Sequence, residues 1–155
     1  MTHDDEQLLA SVFRLGDGYF GIPAAQIQEV VQVGTLTPVH HAPECVSGIR
    51  NLRGRIVTVI DLKRKLGLPP ADIGPETRIL MVDRDGELLG LLVEAVEDTI
   101  FLDPGAVAPA PPQVEGIDAA VLRGIYQFGN RLLALLDHEV ILHWRASQGT
   151  SGLVQ

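Results

Sequence analysis

The segment from Gly48 to Leu66 occurs a second time in this chain, from Gly124 to Leu142, and this duplication constrains the fold more than any other feature. The two copies, GIRNLRGRIVTVIDLKRKL and GIYQFGNRLLALLDHEVIL, align without a gap over nineteen positions, at an offset in residue number of 124 − 48 = 76. The identical pairs are Gly48/Gly124, Ile49/Ile125, Arg55/Arg131, Asp61/Asp137 and Leu66/Leu142. An ungapped repeat of this length predicts one supersecondary unit that is built twice.

The repeat extends upstream of these segments. GIPAAQIQEV, from Gly21, aligns with GLLVEAVEDT, from Gly90, at a smaller offset of 90 − 21 = 69. The two offsets differ by 76 − 69 = 7, so the second copy contains seven extra residues, and the proline-rich stretch 104–112 is the natural place for them. Proline there predicts an extended loop.

These alignments predict how the chain is organised. We expect a single domain over residues 8–143, made of two β units at roughly 8–70 and 77–143. The repeat does not decide whether the chain crosses between the units. The ends, 1–7 and 144–155, are expected to be flexible tails.

Four turn signals divide the chain into short β-prone runs. They are Gly16-Asp17-Gly18, Arg53-Gly54, Arg84-Asp85-Gly86 and Gly129-Asn130. Such turns favour Gly, Asn and Asp because their backbone angle φ is positive, so we expect four hairpins. Runs such as IVTVI and LLALL are too short for helices and are typical of strands covered on both faces. The predicted fold class is all-β with short helices.

Three short helices are predicted. Pro23 is expected to begin one in PAAQIQEVV, with Ile27 on its inner face. Asp61 and Asp137 each follow an apolar strand and are expected to cap the segments LKRKL and HEVIL. Because the two aspartates hold equivalent repeat positions and do not face one another, capping is favoured over catalysis.

Composition limits the location and the partners. The N-terminus is acidic and no apolar run reaches the length of about 18 residues that a membrane helix needs, so neither a signal peptide nor direct membrane insertion is expected. The single cysteine, Cys45, fits a reducing compartment, and a cytoplasmic location is predicted. A net charge of −8 opposes nucleic-acid binding.

Basic residues are concentrated in the first copy of the repeat. Six of the twelve in the chain lie between Val46 and Leu66. Such a cluster is either a solvated face or a docking surface for an acidic partner. No aromatic side chain interleaves with the arginines, which argues against single-stranded nucleic acid as that partner.

No group of residues predicts catalysis. His40 and His41 are adjacent and would point to opposite faces of a strand, which opposes a shared metal ion. Cys45 has no second thiol, and a Cys45–His41 nucleophile pair lacks an orienting third group. No nucleotide-binding glycine motif is present. We therefore expect no enzyme, no metal and no cofactor, with a small enzyme using Cys45, His40 or His41 as the distant alternative.

From Ser47 to Leu68 the chain resembles the CheW family of chemotaxis coupling proteins. The pattern NLRGxIxxxxDL, Asn51 to Leu62, is fairly specific for that family. Further support comes from FRLGDGYFGI (Phe13 to Ile22), from IQEV and GLLVEAVEDT, and from LRGIYQFGNRLLALLD (Leu122 to Asp137). The resemblance covers nearly the whole chain, from about residue 12 to residue 142.

The resemblance implies two five-stranded SH3-like β-barrels packed on a shared apolar seam. It also implies a non-catalytic adaptor that links transmembrane chemoreceptors to the histidine kinase CheA, through the kinase's regulatory domain. The protein would then be cytoplasmic and recruited to membrane-associated receptor arrays. A duplicated module suits such an assembly because each half offers one surface.

The resemblance also assigns site residues. The family's receptor-contacting arginine falls on Arg53, its neighbours Asn51 and Gly54 are receptor-binding candidates with it, and Ile27 is a further one. Ile56 and Val93 are weaker candidates for a receptor groove between the halves. Candidates for kinase binding are Glu29, Gly48 and Gly124. Ile27 could equally be a core residue, and the glycines could serve backbone geometry alone.

The second copy departs from the family pattern because it has QFGN, Gln127 to Asn130, where the first has NLRG. The receptor-facing role is therefore expected in the first half and the kinase-array contact in the second. Two further binding roles stay open at this point. One is an adaptor for a chemosensory-like system that controls pili or biofilm formation, and the other is a scaffold for proline-rich ligands, which the 5% aromatic content disfavours.

Overall fold

The structure is a computed structural model that describes residues 8–114 and 116–143. Twelve strands and two short helices follow one another along these residues. The strands are β1 (Leu8–Leu15), β2 (Gly18–Pro23), β3 (Ile27–Gln32), β4 (Val46–Leu52), β5 (Arg55–Asp61), β6 (Arg78–Arg84), β7 (Glu87–Val93), β8 (Ala95–Leu102), β9 (Gln113–Val114), β10 (Ile117–Asp118), β11 (Leu122–Phe128) and β12 (Arg131–Leu136). The helices are α1 (Leu62–Lys65) and α2 (His138–His143). Both expected tails lie outside the described residues.

The four predicted hairpins are all present. They join β1 to β2, β4 to β5, β6 to β7 and β11 to β12, each with antiparallel pairing. Positive φ angles occur at the predicted turn residues Gly16, Arg53, Asp85 and Gly129. Local turn chemistry therefore determines these connections.

The ten longer strands form two five-stranded sheets, as the all-β prediction requires. Sheet 1 has the order β11-β12-β2-β1-β8, and sheet 2 has the order β3-β6-β7-β5-β4. Within the described residues, the strand pairing of each sheet ends at two edge strands. Side chains and single bridges then bring those edges together, as described below for sheet 2.

The two repeat units exchange their first hairpins. The β1–β2 hairpin of the first unit lies in sheet 1, between β12 and β8 of the second unit. The β6–β7 hairpin of the second unit lies in sheet 2, between β5 and β3 of the first unit. The joins at β12–β2 and at β5–β7 are the parallel ones. Sheet boundaries therefore do not coincide with the predicted units 8–70 and 77–143, because each sheet contains strands from both.

Three apolar clusters fill the molecule. The largest, here called the seam, takes residues from both sheets, including Phe13, Phe20, Leu80 and Leu136, each at most 1% exposed. A second cluster lies within sheet 1, around Val12 and the β12 leucines, and a third lies within sheet 2, around Val59 and Ile79. Each sheet therefore has an apolar core of its own, and the seam forms a third core between the two sheets.

One helix prediction was wrong and two were confirmed. PAAQIQEVV forms only a 3-10 turn, Ala24–Gln26, after which Ile27 begins β3. The alternating burial of β3 and its pairing with β6 override the local helical pattern. Asp61 does cap α1, where its carboxylate accepts hydrogen bonds from the Lys63 and Arg64 amides. Asp137 likewise accepts from the Val140 amide at 3.3 Å at the start of α2.

Candidate interaction surface

The tip of the β4–β5 hairpin presents Arg53 to solvent. Arg53 has φ 52° and Gly54 has φ 87°, so both central turn residues are in the left-handed region. The side-chain oxygen of Asn51 accepts a hydrogen bond from the Gly54 amide at 2.9 Å and closes the turn. A positive φ is uncommon for a bulky residue, and here the residue that adopts it, Arg53, is the one predicted to contact a partner.

Arg53 is paired with Glu29. The guanidinium Nη2 donates to Glu29 Oε1 at 2.6 Å, although the two side chains are 66% and 40% exposed. This hydrogen bond holds the pKa of Glu29 below its usual range and raises the pKa of Arg53. Arg53 was predicted to contact the receptor and Glu29 the kinase, so the structure brings together two residues that the sequence assigned to different partners.

The Arg53–Glu29 contact also shows that sheet 2 is curved. Glu29 is on β3 and Arg53 follows β4, and these strands are the two edges of the sheet. Behind the contact, Arg50 Nε donates to the Val33 carbonyl at 2.8 Å, and a bridge joins Thr37 to Ile49. The sheet is therefore rolled until its edges meet, which is consistent with an SH3-like half-barrel.

The three apolar site predictions have very different exposures. Ile56, opposite Asn51 on the hairpin, is 64% exposed and offers an apolar contact beside Arg53. Ile27 is half-buried and packs against the seam. Val93 is 0% exposed and lies inside the seam, so it presents no side-chain surface to a groove. Ile56 is thus the apolar candidate that a partner can reach.

Gly48 and Gly124 are buried positions where two backbones meet. A Cβ atom at Gly48 would lie 2.7 Å from the Thr37 carbonyl oxygen, and one at Gly124 would lie 2.6 Å from that of Ala108. Each glycine follows a register shift in its hairpin, and each is next to a bridge residue, Ile49 or Ile125. Their environment therefore indicates that the two glycines serve backbone geometry. Neither position offers a side chain or an exposed surface to a kinase.

The structure distributes the basic cluster among separate contacts. Arg64 pairs with Glu44 at 2.6 Å, and Lys63 pairs with Glu94 at 3.3 Å. Lys65 is only 8% exposed. With the Arg50 and Arg53 contacts above, four of the six basic residues therefore have acceptors within the chain, and Arg55 is exposed on the same hairpin as Arg53.

Seven of the eight exposed large apolar residues in the described part of the chain were not among the predicted site residues, and three of them lie on β3 or at the β11–β12 tip. Val30, on β3, is 44% exposed, and Phe128 and Leu132, at the tip of the β11–β12 hairpin, are 45% and 62% exposed. Leu132 is the repeat partner of Ile56 in the alignment of the two copies. That alignment therefore contained the signal that would have found it.

The distant enzyme alternative gains no geometric support. Cys45 is half-buried against the seam, and its carbonyl accepts the Asp61 amide hydrogen at 2.7 Å. Across residues 8–114 and 116–143, no group of three or more His, Cys, Asp or Glu side chains is arranged to hold a metal ion. No helix within those ranges is long and apolar enough to cross a membrane.

Comparisons with known proteins agree over most of the chain. The family model for the CheW-like domain matches residues 10–146. The probable chemotaxis protein CheW of Rhizobium etli is 29% identical over 141 residues, which cover 91% of this chain and 90% of the relative. Protein FrzA of Myxococcus xanthus is 32% identical over 117 residues, covering 74% of this chain and 71% of FrzA. The crystal structure of the scaffolding protein TtCheW from Thermoanaerobacter tengcongensis superposes with a TM-score of 0.80 at 31% identity and covers 91% of each chain.

Proposed function

This chain belongs to the CheW-like domain family, and we propose that it is a chemotaxis adaptor that couples transmembrane chemoreceptors to the histidine kinase CheA. In this role the protein positions its partners and carries out no reaction. Receptor rearrangement would change kinase activity through the contacts that the adaptor makes with both. The protein would work at membrane-associated receptor arrays, recruited there by these contacts.

The observation that carries this proposal is the exposed Arg53 at the β4–β5 tip, in a protein similar along its length to a scaffolding protein. Solvent screens an exposed ion pair, so Glu29 holds Arg53 in place only weakly. A receptor carboxylate can therefore replace Glu29 as the acceptor at little cost. Ile56, on the same hairpin, would add an apolar contact beside the arginine, a combination typical of interface hot spots.

Kinase binding is assigned to Glu29, which lies beside the receptor-contacting Arg53, and to the second half of the molecule. Glu29 is on edge strand β3 of the first half, and the exposed Phe128 and Leu132 support a contact on the second half. We favour the second half for the contact that extends the array, because its hairpin tip exposes Phe128 and Leu132 and has Gly129 where the first hairpin has the charged Arg53. Gly48 and Gly124 would act indirectly, by shaping the two hairpins.

The test is a purified assay of receptor, kinase and adaptor. Arg53→Glu should reduce co-sedimentation with receptor-containing membranes by about tenfold or more and abolish receptor control of the kinase, while the variant keeps its fold. Arg55→Glu is the matched control, since it makes the same charge change two residues away on the same hairpin and should retain most binding. Unchanged co-sedimentation of Arg53→Glu would overturn the assignment of the receptor surface.

The alternative output, control of pili or biofilm formation, uses the same kind of adaptor. Pull-down with the wild-type chain separates the two outputs, because it identifies the cognate receptor and kinase. For the enzyme alternative, Cys45→Ser is decisive, since loss of a measurable activity would support an enzyme and intact receptor control of the kinase would dismiss it.

A further inference from the structure

Leu62 and His138 hold the same position in the two copies of the repeat, directly after the capping aspartate. Leu62 is 0% exposed, whereas His138 is half-buried at the first position of α2. Both side chains line one small cavity of about 10 Å³ in the seam. Ile22 and Leu91, which are partners in the upstream part of the repeat, line it too. The cavity thus lies where equivalent parts of the two halves meet, and its lining includes Leu62 from the first half and the His138 imidazole from the second.

His138 fits this place only as the neutral imidazole. Its Nδ1 atom is buried and has no hydrogen-bond partner among the described residues. An imidazolium carries N–H on both ring nitrogens, so protonation would add an unpaired donor and a charge beside apolar side chains. Burial lowers the pKa of His138, and the Arg123 guanidinium lowers it further. Glu139 and Asp137 act in the opposite direction without outweighing these effects.

The other end of α2 favours a protonated histidine. His143 Nδ1 lies 2.9 Å from the Glu139 carbonyl oxygen, and Nε2 lies 2.9 Å from Asp85 Oδ2. Both partners are acceptors, so both nitrogens donate when the ring is charged. The Asp85 contact, with a smaller contribution from Glu139, raises the pKa of His143 despite the nearby Arg84 guanidinium. Arg84 also donates to the Leu142 carbonyl at 3.2 Å, which further attaches this end of the helix to the β6–β7 turn.

We propose that α2 is a pH-sensitive latch on the seam: protonation of His138 releases the first turn of the helix, while His143 keeps the last turn attached to the β6–β7 turn. The latch rests on the packing of this chain alone and does not depend on the identity of its partners. Its moving part is the N-terminal turn of α2, whose imidazole closes one side of the cavity.

The two histidines make stability depend on pH with opposite signs. The folded-state pKa of His138 is below its ordinary value of 6.5, so the unfolded chain binds the proton more readily. Stability therefore falls as the pH drops below 6.5 towards the folded-state pKa. His143 has a raised folded-state pKa, so its contribution is complete below 6.5 and is lost as the pH rises through that raised value.

The first test is an NMR titration of the imidazole groups in the full chain, with the His138 signal assigned by its loss in His138→Leu. We expect His138 to titrate below 6.5 and His143 above it. On acidification, the protection factors of amides in the first turn of α2, corrected for the intrinsic pH dependence of exchange, should fall relative to those in β12. A titration of His138 at or above 6.5, or unchanged relative exchange of that turn, would overturn the proposal.

The second test compares urea unfolding of wild type and His138→Leu, which places the residue of the first half in the second. As the pH is lowered from about 8 to about 5, His138→Leu should gain stability relative to wild type. The expected gain is up to tenfold in the unfolding equilibrium constant for each unit by which NMR places the folded-state pKa of His138 below 6.5. His143→Gln, on the same helix, is the matched control and should change the pH dependence in the opposite sense. Equal pH dependence of His138→Leu and wild type would contradict the latch. If the leucine variant does not fold, His138→Gln replaces it, with the same outcomes.

Discussion

The β4–β5 and β11–β12 hairpins have the same backbone plan and present different side chains. Each has a register shift near its first strand, a buried glycine against a carbonyl, and a parallel join to the other unit's hairpin. Their tips differ at two positions: the ion-paired Arg53 of the first corresponds to Gly129 in the second, and the half-buried Leu52 of the first corresponds to the exposed Phe128 in the second. The shared features are those that the fold requires, so the differences are where each half can acquire its own function.

The helices α1 and α2, which follow these hairpins, also share a capping aspartate and differ in their other side-chain contacts. Asp61 and Asp137 both cap, but Asp61 also accepts the Ala71 amide hydrogen at 2.9 Å. The first half is fastened further by the Lys63–Glu94 pair, and the second by His143 and Arg84. The Lys63–Glu94 contact is nearly buried, whereas the His143–Asp85 contact is exposed and responds to protonation.

The largest expected effect comes from a feature that the halves share. Gly48→Ala should destabilise the protein by about 2–4 kcal/mol, because the new methyl group meets the Thr37 carbonyl and the φ of 150° is unfavourable for alanine. Gly124→Ala, which lacks the positive φ, should cost about 1–3 kcal/mol. Urea denaturation measures both changes.

The control for this pair is Gly129→Ala, at the tip of the second hairpin. Gly129 has φ 63°, but a Cβ atom added there would meet no atom of the described residues within 4 Å. Only backbone strain of about 1 kcal/mol is therefore expected. Equal effects at Gly48, Gly124 and Gly129 would show that the close carbonyl contacts do not explain the two buried glycines.

The two hairpins and their helices also show which features the sequence could predict and which it could not. The turns, the capping aspartates and the repeat register depend on neighbouring residues, so they were predicted correctly. The hairpin exchange depends on which distant strands pair, and β3 was taken for a helix because its strand character comes from pairing with β6. For the candidate site, the sequence placed Arg53 at a hairpin tip, where the structure also has it, and named Ile56 as a groove residue, whereas the structure exposes it on the hairpin. It did not predict the Arg53–Glu29 contact or the burial of Val93, since both depend on how sheet 2 rolls and packs.

An intermediate effect on the free energy of unfolding is expected at Glu94, whose contacts differ from those that attach α2 in the second half. Glu94 accepts hydrogen bonds from the Gly16 and Asp72 amides and from Lys63, and the Lys63 and Glu94 side chains are only 12% and 11% exposed. Glu94→Gln should therefore cost about 1–3 kcal/mol in the free energy of unfolding. Glu139→Gln is the matched control, because Glu139 holds the repeat position of Lys63 and is exposed, and it should change stability by at most about 0.5 kcal/mol.

The Glu94 contacts also have a pH dependence. Burial alone would raise the pKa of Glu94, but the Asp72 and Gly16 amides and the Lys63 ammonium lower it below 4.5 on balance. The stability that these contacts contribute is complete above 4.5 and is lost as the pH falls through the folded-state pKa. Urea midpoints of wild type and Glu94→Gln should therefore converge in acid. A difference that stays constant down to low pH would mean that the carboxylate charge is not what stabilises this junction.

The smallest effect on stability, and the sharpest test of the division of function, comes from Ile56→Ser and Leu132→Ser. The two residues are repeat partners, hold the same register opposite Asn51 and Gln127, and are 64% and 62% exposed. Because neither side chain is buried, each change should alter the free energy of unfolding by at most about 0.5 kcal/mol. Binding should separate them: Ile56→Ser should weaken receptor association, and Leu132→Ser should weaken association with the kinase, each by about tenfold if the side chain is at the centre of its interface. Each variant is the other's control, since position, exposure and chemical change are matched. If both variants weaken the same partner equally, the two hairpins are equivalent in function as well as in backbone, and the difference at their tips must have another cause.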